Sequence, residues 1–238
     1  MAHMLFSRVS SSLRYDAYLV VLGLMATATS MSELTPREIA WTQWRDRSRW
    51  PRALALSALG LVLLFPMFKR AGSSLAHNAD NMVGIYEQQY QMGLFLARYY
   101  QGQGVAANDI GAIDYLADVR LTDLAGLATR ETGEARRTRS LTAARIGEAA
   151  KKGDAAIAIV YDAWFQGGKG LPADWVKVGE WQIPYAGFAA SDTAAFYAVT
   201  PEAVAPLIKN LQLFSPALPA EVIQRGRYLP GTEASSRK

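Results

Sequence analysis

The sequence predicts an α/β protein: an N-terminal two-helix membrane hairpin followed by one extracytoplasmic α/β domain with a mainly parallel or mixed sheet. Two charge-free apolar stretches, Ala17–Ser32 and Ala53–Phe68, flank an arginine-rich segment. Beyond residue 100, short apolar runs alternate with helical segments, which is typical of α/β sheets. The 167 residues that follow residue 71 are enough for one domain with its own core.

The apolar stretches predict helices at about residues 15–32 and 50–69, which form a membrane hairpin over residues 1–71. Each charge-free core has 16 residues, fewer than the roughly 20 that span a bilayer. Tyr15 and Trp50 extend the ends as interfacial residues. Two alternatives stay open: a pair of buried helices in a soluble protein, and a cleaved secretory signal with small residues at Ala26-Thr27-Ala28.

The distribution of charge predicts the orientation of the hairpin. Residues 1–71 hold 9 Lys and Arg against 4 Asp and Glu, a net charge of +5, and the rest holds 16 against 17, a net charge of −1. The positive-inside rule places the arginine-rich connector in the cytoplasm. We therefore expect an inner-membrane protein with the lipid bilayer as its partner, a periplasmic or extracellular C-terminal domain, and no nucleic-acid partner.

Helical spacing and cap residues predict the helices of the domain, which should cover residues 72–230. Met82–Tyr100 reads as one amphipathic helix that ends near Gly102. Leu141–Lys152 follows a plausible N-cap at Ser140 and precedes Gly153, and another helix opens at Thr200-Pro201-Glu202. Residues 231–238 are polar and predict a disordered tail.

Three short apolar runs predict parallel strands, and each has an aspartate at its end. The runs are Val105–Asp109, Val119–Asp123 and Ala155–Tyr161, and Trp175–Trp181 and Ala194–Val199 predict alternating or edge strands of a mixed sheet. Open α/β sheets bind ligands at the carboxyl edge. The candidate ligand-binding residues are therefore Asn108, Asp109, Asp123 and Asp162, for a metal, a polyol or a cationic group. The alternative is that each aspartate only caps a turn.

A short crossover helix at Ala112–Ala117 is expected to bring Asp109 and Asp123 close together on adjacent strands.

The composition argues against several chemistries, because with two histidines and no cysteine the chain has neither a thiol nucleophile nor a His/Cys metal site. No G-x-S-x-G, P-loop or dinucleotide fingerprint occurs. The catalytic residues stay unassigned, and no metal or tightly bound cofactor is predicted. Four aromatic residues fit sugar stacking, a core or the bilayer interface: Trp164, Trp175, Trp181 and Tyr185.

Two consecutive motifs carry a resemblance to a known family. They are Val105-Ala-Ala-Asn108-Asp109-Ile-Gly111-Ala-Ile113-Asp-Tyr115 and Asp123-Leu-Ala-Gly126-Leu127, preceded by Arg14-Tyr15-Asp-Ala-Tyr18-Leu. This pattern resembles the extracytoplasmic C-terminal region of bacterial GT-C type glycosyltransferases, similar to protein mannosyltransferases and aminoarabinose transferases. The resemblance implies a polyprenyl-phosphate-linked sugar donor and a role in cell-envelope glycan or glycolipid synthesis.

The chain lacks the acidic loop and the many helices that hold the catalytic carboxylate in that family. The resemblance therefore implies a C-terminal part, a subunit or a stand-alone descendant that is inactive without a membrane-protein partner supplying further helices. The alternative is a membrane-anchored, non-catalytic periplasmic binding or interaction domain.

Overall fold

The computed structural model describes residues 21–26, 28–29 and 50–230. The chain divides into two compact units, residues 1–78 and 79–238. In the first unit, residues 21–26 and 28–29 are helical, and helix α1 spans Trp50–Ala76. Most of the first predicted helix, the arginine-rich connector and the tail at 231–238 lie outside the described residues.

The described residues do not support the predicted membrane hairpin. Across residues 21–26, 28–29 and 50–230, no helix is both long and apolar enough to cross a membrane. The charge-free stretch of α1 has only 16 residues, since Arg52 and Lys69 bound it within the same helix. It also contains Pro66, a residue that helix interiors disfavour.

The second unit begins with a helical segment that the sequence predicted as a single helix over Met82–Tyr100. The structure divides it into α2, Asn78–Ile85, a π-helical turn, Tyr86–Tyr90, and α3, Gln91–Tyr99. The remaining helices and strands follow in chain order: β1 Gly104–Ala107, α4 Gly111–Leu116, β2 Arg120–Asp123, α5 Arg130–Arg137, α6 Ala143–Lys152, β3 Ala155–Val160, β4 Val176–Gln182, β5 Thr193–Ala198, α7 Pro201–Phe214 and β6 Ile223–Gly226.

The strands form a mixed six-stranded sheet in the order β2-β1-β3-β5-β4-β6. Strand β1 lies parallel to both β2 and β3, as predicted, and the other neighbours pair antiparallel. The α/β class with a mixed sheet is thus confirmed. Of the two alternatives predicted for β4 and β5, the edge position was wrong, because β6 pairs outside β4 and leaves β2 and β6 as the edges.

Both faces of the sheet are buried. Helices α3, α4 and α7 cover one face, where Phe95, Ile113 and Leu207 pack on Val105 and Ile157. The other face carries α6, whose Ile146 and Ala150 pack with Ala106, Ala158 and Val160. Burial on two sides explains why β3 is a continuous apolar run with no polar alternation.

The crossovers define where the sheet can bind a ligand. The connection from β1 to β2 passes through α4 on one face, and the connection from β2 to β3 includes α6 on the other. Helix α6 starts after an N-cap at Thr142, two residues later than the predicted Ser140. Because the chain leaves β1 toward β2 on one side and leaves β3 toward β4 on the other, the carboxyl ends of β1 and β3 form a topological switch point, the usual ligand site of open α/β sheets.

Candidate functional site

A polar cluster lies at the switch point, and we call Gln89, Asn108, Asp109 and Tyr161 the edge cluster. Asp109 Oδ2 accepts hydrogen bonds from Tyr161 Oη at 2.8 Å and Gln89 Nε2 at 3.2 Å. Gln89 Nε2 also lies 3.3 Å from Tyr161 Oη. Asn108 Oδ1 accepts from the Tyr161 backbone N–H at 3.0 Å. These contacts tie the end of β1 to the end of β3.

Two members of the edge cluster have unsatisfied groups. Asn108 is 1% exposed and Gln89 is 5% exposed. Within the described part of the chain, Asn108 Nδ2 and Gln89 Oε1 are buried without a hydrogen-bond partner. A buried polar group left unpaired costs about 1–3 kcal/mol, so such groups are rare unless a ligand or water completes them.

The Tyr161 phenol serves as a fixed donor. Burial, followed by the charge of the neighbouring Asp109 carboxylate, strongly raises the pKa of Tyr161. The phenol therefore keeps its proton and donates to Asp109 Oδ2. Since Asp109 itself is half-buried, its carboxylate is oriented by protein groups and remains accessible at the rim of the sheet.

The π-helical turn supplies Gln89, which the sequence analysis did not select. Three successive polar residues in this turn, Glu87, Gln88 and Gln89, are all buried. π-Helical turns often occur at functional sites because the extra residue shifts side chains out of α-helical register. The sequence feature that could have pointed to Gln89 is this run of three polar residues within an otherwise amphipathic helix. Desolvation, aided by the Glu221 carboxylate, raises the pKa of Glu87.

Two tyrosines flank Gln89 on the same turn and face solvent. Tyr86 is 55% exposed and Tyr90 is 39% exposed. Their rings stack at a centroid distance of 5.6 Å and an angle of 23°. The pair places a flat aromatic surface on the turn that supplies Gln89 to the edge cluster.

Asp123 has a structural role in its own loop. Its Oδ1 accepts from the N–H groups of Ala125 and Gly126 at 2.8 and 2.9 Å. Its Oδ2 accepts from those of Ala128 and Thr129 at 2.7 and 2.9 Å. Both oxygens are therefore used by the loop that leads into α5, as the turn-cap alternative predicted.

Asp162 belongs to a chain of charges between β3, β4 and β6. Its Oδ2 pairs with Lys177 Nζ at 2.8 Å, and its Oδ1 accepts from Tyr197 Oη at 2.9 Å. Lys177 also pairs with Glu180 at 2.6 Å, and Glu180 with Arg225 at 3.3 Å. Each carboxylate in the chain is therefore compensated by a cation.

The three predicted acids thus lie at the carboxyl edge, but they do not share partners. Ala107, two residues before Asp109, pairs with Asp123 across adjacent strands. Yet Asp109 bonds to Tyr161 and Gln89, while Asp123 bonds to its own loop. Among residues that the structure describes, no three His, Cys, Asp or Glu side chains are grouped so that they could hold a metal ion.

The four aromatic residues considered for sugar stacking lie in different environments. Trp181 and Trp175 fill the two cores, at 0% and 7% exposure. Trp164 lies beneath the Arg136 guanidinium, 4.8 Å from the ring centroid. Tyr185 is exposed and donates to Asn81 Oδ1 at 3.3 Å. Of the four, the two core tryptophans are thus structural.

The fold and the edge cluster define a three-layer α/β domain with a polar cluster at a topological switch point. A family model described as "Domain of unknown function (DUF8728)" matches residues 80–199, which is 120 of 238 residues. The chain belongs to this family. The match covers β1 to β5 and all four residues of the edge cluster. No curated protein and no solved structure matches the chain.

Proposed function

We propose that residues 79–230 act as a non-catalytic binding domain whose ligand contacts the edge cluster. One observation carries the proposal: two buried polar groups without partners, the donor Asn108 Nδ2 and the acceptor Gln89 Oε1, belong to the same cluster at the switch point. Because both atoms are buried, a ligand that offers a donor and an acceptor completes them when side-chain movement at the rim exposes them.

The chemistry of the cluster favours a polyol among the ligand classes that the sequence predicted. Within residues 50–230, the side-chain hydrogen bonds to Asp109 reach Oδ2, which leaves Oδ1 to accept from a hydroxyl group. A hydroxyl can donate to Asp109 Oδ1 and accept from a second donor at the same time, which a metal ion cannot do. The stacked rings of Tyr86 and Tyr90 supply a flat face for an apolar ring surface.

A pair of aspartate variants tests this proposal. Ligand-observed NMR screens the chain against monosaccharides, polyols and small amines, and Asp109→Asn is compared with Asp114→Asn, an exposed residue of α4. Loss of a charged hydrogen bond costs about 1.5–3 kcal/mol. We therefore expect Asp109→Asn to weaken polyol binding by about tenfold or more and Asp114→Asn to leave it unchanged. Equal binding by both variants would contradict the assignment.

A second candidate is a part of a polyprenyl-phosphate-sugar-dependent membrane glycosyltransferase that contributes a substrate-side lobe. It is supported by the motif resemblance, whose residues Asp109, Asp123 and Gly126 all lie at the carboxyl edge of the sheet. Large apolar side chains of the first unit, among them Leu61 and Phe65, are exposed and would suit lipid or partner helices at the inner membrane. In this candidate the second unit lies in the periplasm.

The two candidates differ in what the chain does with a lipid-linked sugar. For the second candidate, we expect sugar transfer only when the chain is reconstituted with a partner that supplies further membrane helices. The measurement is transfer of a labelled sugar from a polyprenyl-phosphate donor to envelope lipid. Turnover by the chain alone that Asp109→Asn abolishes would overturn the non-catalytic assignment.

A further inference from the structure

Positive charge is concentrated on one segment of two consecutive helices in the second unit. Residues 130–152, which we call the basic hairpin, comprise α5, the connecting turn and α6 and hold 7 Lys and Arg against 3 Glu, a net charge of +4. The rest of residues 79–230 holds 7 Lys and Arg against 13 Asp and Glu, a net charge of −6. The unit therefore has one basic region on an otherwise acidic body.

The cations of the basic hairpin face solvent, and most lack acidic partners. All seven are exposed: Arg130, Arg136, Arg137, Arg139, Arg145, Lys151 and Lys152. Within the described residues, the one ion pair that any of them forms is Arg130 with Glu134 at 3.0 Å. Four have no described side-chain partner: Arg137, Arg139, Lys151 and Lys152. Their charge is thus available to an external anion.

The fold holds this charge in a fixed arrangement. Helix α6 buries Ile146 and Ala150 against the sheet, so its cations lie on the solvent side. The turn between the helices is braced because Arg145 Nη1 donates to Ser140 Oγ at 3.0 Å. Ser140 Oγ in turn lies 3.0 Å from Thr138 Oγ1. The basic hairpin is therefore a surface preformed for binding.

Two observations favour a lipid surface over a nucleic acid as the partner. The basic hairpin contains no aromatic residue on which bases could stack. The same chain exposes large apolar side chains in α1, among them Leu61, Val62 and Phe65 at 66–68% exposure. Only His77 and Asn78 separate α1 from the second unit in sequence. A chain with both features is suited to an apolar phase bordered by anionic headgroups.

We propose that the basic hairpin docks the second unit onto anionic lipid headgroups. The inference does not depend on the edge cluster, since none of its residues belongs to the hairpin. Each Lys or Arg near an anionic membrane strengthens binding by about fivefold. Four unpaired cations therefore supply a measurable and salt-sensitive part of the affinity.

Co-sedimentation of the full chain with vesicles tests the proposal. Vesicles of phosphatidylcholine alone are compared with vesicles containing phosphatidylglycerol, at low and high salt. The test variant combines Arg137→Gln, Arg139→Gln, Lys151→Gln and Lys152→Gln. The control removes four exposed charges outside the hairpin: Arg98→Gln, Lys169→Gln, Lys209→Gln and Arg227→Gln.

We expect the test variant to bind phosphatidylglycerol vesicles at least about tenfold more weakly than the wild type at low salt. The control should change by less than about threefold, and binding to phosphatidylcholine should be the same for all three proteins. Circular dichroism checks the fold. If the fourfold variant unfolds, Lys151→Gln with Lys152→Gln should still lower the affinity by about fivefold or more.

Equal losses in the test and control variants would overturn the proposal, because net charge alone would then explain binding. It is also overturned if the wild type shows no preference for phosphatidylglycerol. Binding of duplex DNA to the wild type and the test variant gives a third contrary result. If the test variant loses DNA binding but binds lipid as the wild type does, the partner is a nucleic acid.

Discussion

Replacement of Asp123 by Asn should destabilise the second unit strongly, although the side chains have the same size. The carboxylate accepts four backbone N–H groups, two on each oxygen. An amide keeps one oxygen and turns an NH2 group toward the other pair of donors. Two charged hydrogen bonds are lost, each worth about 1.5–3 kcal/mol. The expected loss is therefore about 3 kcal/mol or more, a large share of the 5–15 kcal/mol typical of a domain.

Urea unfolding followed by tryptophan fluorescence measures this loss, because Trp181 is fully buried. The matched control is Asp118→Asn, an exposed aspartate between α4 and β2, which should change the free energy of unfolding by less than about 0.5 kcal/mol. The urea dependence should be unchanged in both variants. If Asp123→Asn is as stable as Asp118→Asn, the carboxylate does not organise the loop and the reasoning is refuted.

Two further predictions concern stability. Gly126 has φ of +75°, and a Cβ there would lie 2.3 Å from the Gly133 backbone, so Gly126→Ala should cost about 2 kcal/mol or more in thermal unfolding. Gly102→Ala, at φ of +70° with open space around it, should cost only about 1 kcal/mol, and equal losses would contradict the close approach. Burial opposes ionisation of Glu180, but Lys177 and Arg225 outweigh it and lower its pKa. Its stabilisation is therefore present above the ordinary pKa near 4.5 and is lost as pH falls through the folded value. Glu180→Gln should thus be less stable than wild type by about 1 kcal/mol at pH 7, and a difference that persists at pH 3 would count against the ion pairs.

The local sequence pattern was sufficient to predict the strands of the parallel half of the sheet. Strands β1, β2 and β3 are short apolar or β-branched runs, and each lies within two residues of its prediction. The boundary of β1 was less clear because Asn108 continues the run in sequence but uses its side chain to accept from Tyr161 N–H. A side chain that takes the place of a backbone hydrogen bond between strands does not change the hydrophobic pattern of the sequence.

Two elements were not predictable from periodicity. Helix α5 is mostly charged and buries only Thr132 and Ala135, so it lacks an apolar stripe. Strand β6 has the sequence Ile-Gln-Arg-Gly and exists through its pairing with β4. Both depend on tertiary contacts, which override weak local preference.

The candidate site was predicted in part. Asn108 and Asp109 follow a strand and were selected for that reason, whereas Gln89 and Tyr161 reach Asp109 across 20 and 52 residues of sequence. No local pattern encodes such separations. A cap that uses one acceptor oxygen tolerates an amide, but this loop uses both oxygens of Asp123, which is why Asp123→Asn is expected to be destabilising.

The two motifs that carry the resemblance to glycosyltransferases therefore have different physical roles. Asp123 and Gly126 close a loop, one through four hydrogen bonds and the other through its backbone conformation and close approach to Gly133. Asp109 is different, because its partners come from a π-helical turn and from the residue that follows β3, and the same cluster includes unpaired buried groups. The proposed ligand site therefore lies at the Asp109 end of the pattern, where buried polar groups of the described residues are unpaired.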